Sequence, residues 1–130
     1  MPTVLVVDDD PDICQLLAMF LGCAGFDVRT ACDGRDALHQ LASAGTVPAV
    51  ILLDLMMPIM DGIEFRSHQR RDIRFRDIPI VCLSARHDAR QTAARLGLSE
   101  FLAKPFELDA VVAAVSRHCC GVIPLLTAEA

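Results

Sequence analysis

Five short strand-like runs alternate with helical segments along this chain, and no other feature constrains the fold as strongly. TVLVV (3–7) is an uninterrupted, β-branched run ending in acids, which fits a strand buried on both faces. DVRTA (27–31), AVILLD (49–54), IPIVCLS (78–84) and SEFLA (99–103) follow, each separated by room for one helix. After the first strand, Asp10 is placed to cap a helix whose first turn takes Pro11 and Asp12. Ile13, Leu16, Leu17, Phe20 and Leu21 then recur at helical spacing until Gly22 and Gly25 close the segment. Asp33 caps a second helix carrying Ala37, Leu38 and Leu41. A third runs from about Gly62 to Asp72, a fourth from about Asp88 to Leu96, ending at Gly97. A fifth, Glu107 to about Cys120, is expected to bury Leu108, Val111, Val112, Val115 and Cys119, leaving Ala110, Ala113 and Ala114 outside. Strands alternating with helices through short connections specify a doubly wound parallel sheet. The third helix fits least well. Ile63 and Phe65 are its clear apolar residues, and Arg66 and Gln69 stand near where its core stripe should continue.

With 130 residues, 53% of them hydrophobic, the chain makes one domain with a substantial core. Asp54 interrupts the longest apolar stretch, so nothing approaches the ~20 residues of a membrane span. MPTVLVVDDD lacks the basic start of a signal peptide, and a soluble cytoplasmic protein is expected. A net charge of −5 argues against broad nucleic-acid affinity. Positive charge is nevertheless concentrated in RSHQRRDIRFR (66–76), either a solvated helix face or a local docking patch. The six cysteines (14, 23, 32, 82, 119 and 120) show no metal-binding spacing and read as small buried hydrophobes. The adjacent pair Cys119–Cys120 is the one candidate for redox activity.

In an open parallel sheet, ligands bind beyond the carboxyl ends of the strands. The first strand ends in Asp8-Asp9-Asp10, the third in Asp54, the fourth in Ser84, and the fifth just before Lys104, the only lysine. Each on its own has a plainer explanation as a cap, a turn residue or a strand stop. Together they make a compatible set. Carboxylates gathered from two strand ends repel by on the order of 4 kcal/mol per pair at ~4 Å and an effective dielectric of ~20. Such a cluster favours a hard divalent cation such as Mg²⁺. A hydroxyl and a compact ammonium complete a site for a phosphoryl group, with an aspartate as nucleophile.

At this point the chain resembles the receiver domain of two-component response regulators. VLVVDDDPD, LLDLMMPIMDG, CLSA and FLAKPF carry the resemblance, in order, over about residues 3–120. It implies a flavodoxin-like fold with strand order 2-1-3-4-5, a receiver domain over 1–121, and a tail or linker start at 122–130. Asp54 would be the phosphoacceptor, served by a sensor histidine kinase or a histidine phosphotransfer protein. Asp9, Asp54 and the backbone carbonyl of Met56 would ligate Mg²⁺, with Asp8 acting largely through water. Lys104, joined to Pro105 by a cis bond, would contact the phosphate. Ser84 and Phe101 would be the switch residues, biasing the face of the fourth helix, fifth strand and fifth helix toward an output protein or domain, or toward a homodimer. Pro58 would shape the loop after Asp54, and Asp61-Gly62 would close it. Met56 and Arg86 flank the path of an attacking water, and neither is the polar residue of fast-cycling members. Slow self-dephosphorylation is therefore expected.

Two rival readings exist. A haloacid-dehalogenase-like phosphatase would use Asp8-x-Asp10 as its nucleophile motif and needs a further acidic pair beyond the lysine, where the last helix offers Glu107 and Asp109. A non-phosphorylated interaction module would keep the fold but need none of the polar set. A nucleotide-binding fold is disfavoured, since no glycine-rich loop follows the first strand. The receiver reading implies a phosphorylation-dependent signalling switch rather than an enzyme on external substrates, with no direct contact to nucleic acid or membrane.

Overall fold

The computed structural model describes residues 1–43 and 45–119. The strands are β1 (Thr3–Val7), β2 (Asp27–Ala31), β3 (Val50–Asp54), β4 (Ile80–Ser84) and β5 (Glu100–Ala103). The helices are α1 (Pro11–Cys23), α2 (Gly34–Ser43), α3 (Gly62–Arg71), α4 (Ala89–Arg95) and α5 (Leu108–His118). All strand pairs are parallel, in the order β2-β1-β3-β4-β5. The expected fold and strand order are thus observed, and chain direction across the sheet reverses between β1 and β3.

Strand parity divides the core. β1, β3 and β4 are buried throughout, because helices cover both faces. Val4, Val6, Val50, Leu52, Val81 and Leu83 point to one face, where Leu17 and Leu21 of α1 meet Val111, Ala114 and Val115 of α5. Leu5, Val7, Ile51 and Leu53 point to the other, against Ala37 and Leu41 of α2 and Phe65 of α3. A smaller cluster there joins Leu55 and Cys82 to Ala89 and Ala93 of α4.

Helix ends follow the sequence cues. Asp10 accepts from the Asp12 amide at 2.9 Å, and Asp33 accepts from the Asp36 amide at 2.7 Å. α1 and α4 both stop on a left-handed glycine, Gly25 (φ 100°) and Gly97 (φ 70°). In each, the next residue bonds five back, Phe26 to Leu21 and Leu98 to Ala93. The last helical carbonyls are satisfied in this way.

Four expectations need correction. Gln69 is fully buried, and it continues the α3 stripe as a polar core residue. Its amide donates to the carbonyls of Phe75 (2.8 Å) and Ile78 (3.1 Å), tying down the α3–β4 connection. Ala114 is also fully buried, on the sheet-facing side of α5 with Val111 and Val115. In α1 the buried residue of the first turns is Cys14, while Leu16 is 41% exposed. Finally, Cys14, Cys82 and Cys119 are buried, but Cys23 and Cys32 are exposed, near the ends of α1 and β2. Cys120, and with it the suggested redox pair, lies outside the described residues, as does the tail at 122–130.

Candidate functional site

Parity also decides which polar residues meet. Asp8 continues the alternation of Val4 and Val6, Asp54 that of Val50 and Leu52, and Lys104 that of Leu102. The three therefore emerge on the same side of the sheet's carboxyl edge, at the reversal point. Lys104 Nζ donates to Asp8 Oδ2 at 2.6 Å and to Asp54 Oδ2 at 3.4 Å. Oxygens of Asp8, Asp9 and Asp54 all lie within 4.8 Å of one another, with Asp8 and Asp54 buried and Asp9 exposed. The Asp10 amide donates to Asp8 Oδ1 (2.9 Å), and the Met56 amide donates to Asp54 Oδ1 (3.3 Å). Among the described residues, no buried side-chain nitrogen or oxygen lacks a partner.

The electrostatics follow from burial. Asp54 is 6% exposed, and burial, aided by the charge of Asp8, raises its pKa despite the pull of Lys104. Burial works against the Lys104 ammonium too, but the hydrogen bond to Asp8 and the charges of Asp54 and Asp8 hold its pKa above the usual value. The result is a crowded anionic pocket with one resident cation. Hard oxygen donors at this spacing suit a divalent ion such as Mg²⁺ in charge and ligand type.

The loop after Asp54 is held by backbone. The Met60 amide bonds the Pro58 carbonyl at 2.7 Å, closing a tight turn with Ile59 at φ 68°. That conformation is strained for a β-branched residue. The Gly34 amide then bonds the Met60 carbonyl at 2.8 Å, seating the loop on the start of α2. Asp61 caps α3 through the Glu64 amide (2.9 Å). A Cβ on Gly62 would stand 2.5 Å from the Asp54 carbonyl oxygen, so only glycine allows the loop to close behind that residue.

Ser84 has the other parity. It is buried at the end of β4, and its Oγ accepts from the Arg86 amide at 3.2 Å. Phe101 lies opposite Cys82 on β5, half-buried beside α4, with the Arg90 guanidinium 5.3 Å from its ring centroid. Met56 is 59% exposed, and with Asp9, Asp61 and Arg86 it lines an open cleft of about 400 Å³. Arg86 is held by Asp88 through two bonds of 2.8 and 2.7 Å, which leaves α4 without a side-chain cap. The Lys104–Pro105 bond is cis. Asp10 is a helix cap and takes no part in the cluster, which removes the D-x-D motif of the phosphatase reading.

Sequence reasoning missed Gly34, Asp88 and an apolar groove beside Lys104, lined by Ile13, Leu16, Ala85, Pro105 and Phe106. Leu16 carried a signal for the groove. It lies one step off the buried stripe of α1, so its exposure leaves an apolar surface at the site's rim.

Carboxylates shared between two strand ends at a reversal point, with a lysine reaching them from a third, make the layout expected of a response regulator receiver. Comparison with known proteins gives the particular family: the profile of the response regulator receiver domain matches residues 4–116, and the chain belongs to that family. It is a receiver of a two-component signalling system. It is 37% identical over 117 residues to the DNA-binding dual master transcriptional regulator RpaA of Synechocystis, covering 88% of this chain and 48% of that protein. The chain spans about half the length of this relative and of the transcriptional regulatory protein PrrA of Mycobacterium leprae, to which it is 40% identical over 116 residues. The chemotaxis response regulator CheY4 of Vibrio cholerae superposes with a TM-score of 0.82 at 33% identity, covering 91% of this chain and 98% of that one. The response regulator TrrA of Thermotoga maritima, in complex with Mg²⁺-BeF, gives 0.79 at 30% identity, covering 91% and 99%. Among the described residues, no helix is long and apolar enough to cross a membrane.

Proposed function

We propose that Asp54 accepts a phosphoryl group from a phosphohistidine of a sensor kinase or a histidine phosphotransfer protein. The observation that carries this reading is the Lys104 ammonium set between Asp8 and Asp54, beside a carboxylate cluster spaced for one cation. An Asp54 oxygen attacks phosphorus as the N–P bond breaks, and the imidazole leaves with its electron pair. Asp8, Asp9, Asp54 and the Met56 carbonyl would hold Mg²⁺, which supplies positive charge against the phosphoryl oxygens. Lys104 then exchanges its bond to Asp54 for one to the phosphoryl group. The reaction modifies the receiver's own side chain and leaves no external product beyond the freed histidine.

The apolar groove of Ile13, Leu16, Pro105 and Phe106 borders Lys104 and offers the donor protein a surface beside the acceptor. Ser84 and Phe101 communicate the change: the hydroxyl turns to the phosphoryl oxygens, and the ring moves inward against α4. The α4–β5–α5 face so altered engages an output protein or domain, or a second copy of the chain. The receiver occupies residues 1–121, with 122–130 a C-terminal tail or the start of a linker, and it works in the cytoplasm.

Mass spectrometry after incubation with a small acyl phosphate tests the core of this reading. Phosphate uptake should require Mg²⁺ and disappear in Asp54→Asn; equal uptake by both proteins overturns it. The exposed Met56 thioether and the Asp88-bound Arg86 line the cleft through which water must come, and neither orients it for attack. Met56→Asn is therefore expected to speed decay of the phosphoprotein about tenfold or more, within the range of positioned polar groups. An unchanged decay rate removes Met56 from this role.

A further inference from the structure

The arginine-rich stretch 66–76 plays no part in the chemistry at Asp54, and the fold sorts its charges into two kinds. Arg74 is neutralised, its guanidinium 2.8 Å from Asp72 Oδ2 and 4.6 Å from the centre of the Phe75 ring. Arg66, Arg70 and Arg71 instead converge with Ser67 on an open cavity of about 390 Å³, whose remaining lining is Ile63 and Leu96. No acidic residue lines it, and none of the three arginines makes an ion pair among the described residues. Arg66 is fixed in place by neutral acceptors only: the carbonyl of Leu96 (3.0 Å), Gln69 Oε1 (2.7 Å) and the carbonyl of Gly97 (3.4 Å). Burial and the neighbouring charge of Arg70 lower its pKa, as expected where positive charge is crowded and uncompensated. The site lies on the α3–α4 side of the sheet, away from the α1–α5 side that presents Asp8, Asp54 and Lys104.

We propose that this cavity docks an acidic peptide segment of a partner protein, with carboxylates on Arg66, Arg70 and Arg71 and an apolar side chain against Ile63 and Leu96. Guanidinium forks match carboxylates two bonds at a time, and Arg66 is already ordered, so little side-chain freedom is lost on binding. A long polyanion is disfavoured. The chain carries −5 overall, which repels the length of nucleic acid that would extend past three arginines. A short acidic segment touches only the three arginines, and the apolar floor gives it an anchor that a phosphate backbone cannot use.

Fluorescence anisotropy of a labelled peptide of alternating glutamate and leucine, titrated with the full chain, tests the proposal. The wild type should bind saturably, and more weakly as salt is added. Arg70→Glu with Arg71→Glu should reduce affinity at least about tenfold. Arg35→Glu with Arg76→Glu makes the same charge change outside the cavity and should leave affinity within about twofold. All four positions are exposed, and unchanged circular dichroism and melting verify the fold of both variants. Absence of saturable binding by the wild type overturns the proposal, as does equal loss in the two double variants. Tighter binding of duplex DNA or phosphatidylserine vesicles, with the same dependence on Arg70 and Arg71, assigns the surface to those ligands instead.

Discussion

At Gly62 a single missing methyl group decides whether the loop after Asp54 can close. A Cβ there would sit 2.5 Å from the Asp54 carbonyl oxygen and 2.9 Å from Leu55 Cα, and backbone cannot yield as a flexible side chain would. Gly62→Ala is expected to cost about 2 kcal/mol or more in urea unfolding, in the range of backbone-clash substitutions. Asp54 is itself a stability cost. Its folded pKa is raised above the unfolded value, so the unfolded state loses its proton first and stability falls as pH rises through that window. Below the unfolded pKa both states are protonated and the cost vanishes. Asp54→Asn should therefore raise Tm of the metal-free protein at neutral pH, and the gain should shrink toward acid; a gain independent of pH contradicts this account. Asp8, Asp9, Asp54, Ser84 and Lys104 stood out in the chain because each ends or follows a short strand-like run. Asp88 did not: its hold on Arg86 depends on a turn geometry that no periodicity encodes.

Among the elements, α3 shows how a weak amphipathic pattern still makes a well-packed helix. Gln69 replaces an apolar residue in the stripe, and its amide group bonds two carbonyls of the α3–β4 connection while accepting from Arg66. Gln69→Leu keeps the bulk and abandons two buried carbonyls, at an expected cost of about 2–4 kcal/mol measured by chemical denaturation. A cost below ~1 kcal/mol would mean that water replaces the amide. Helix α5 was misjudged for a related reason. Ala114 has the size of a surface helix former, and whether it faces water or the sheet depends on how closely α5 packs, which composition does not reveal. Strands were easier, because β1, β3 and β4 are buried on both faces and read as continuous apolar runs.

Over the whole molecule, the acidic edge holds three carboxylates around one lysine, so a divalent cation should stabilise the fold by mass action. At a hundredfold excess over its Kd, Mg²⁺ adds about 2.7 kcal/mol. Calorimetry should show Tm rising with Mg²⁺ in the wild type, with most of the rise lost in Asp9→Ala, where the exposed ligand is gone but the core is untouched. An equal rise in both proteins would assign the effect to general screening. The alternation of strands and helices was enough to read the sheet, its parallel sense and the edge at which polar residues collect, because short buried strands and their connections permit few other arrangements. Distance was not in that pattern. Asp8 and Lys104 are 96 residues apart and meet at 2.6 Å only because strand order brings β1, β3 and β5 to one edge and parity turns their last side chains to one side. Three of five clustered arginines share a cavity for the same reason: local sequence sets which charges a helix carries, and packing against its neighbours sets which of them stand together.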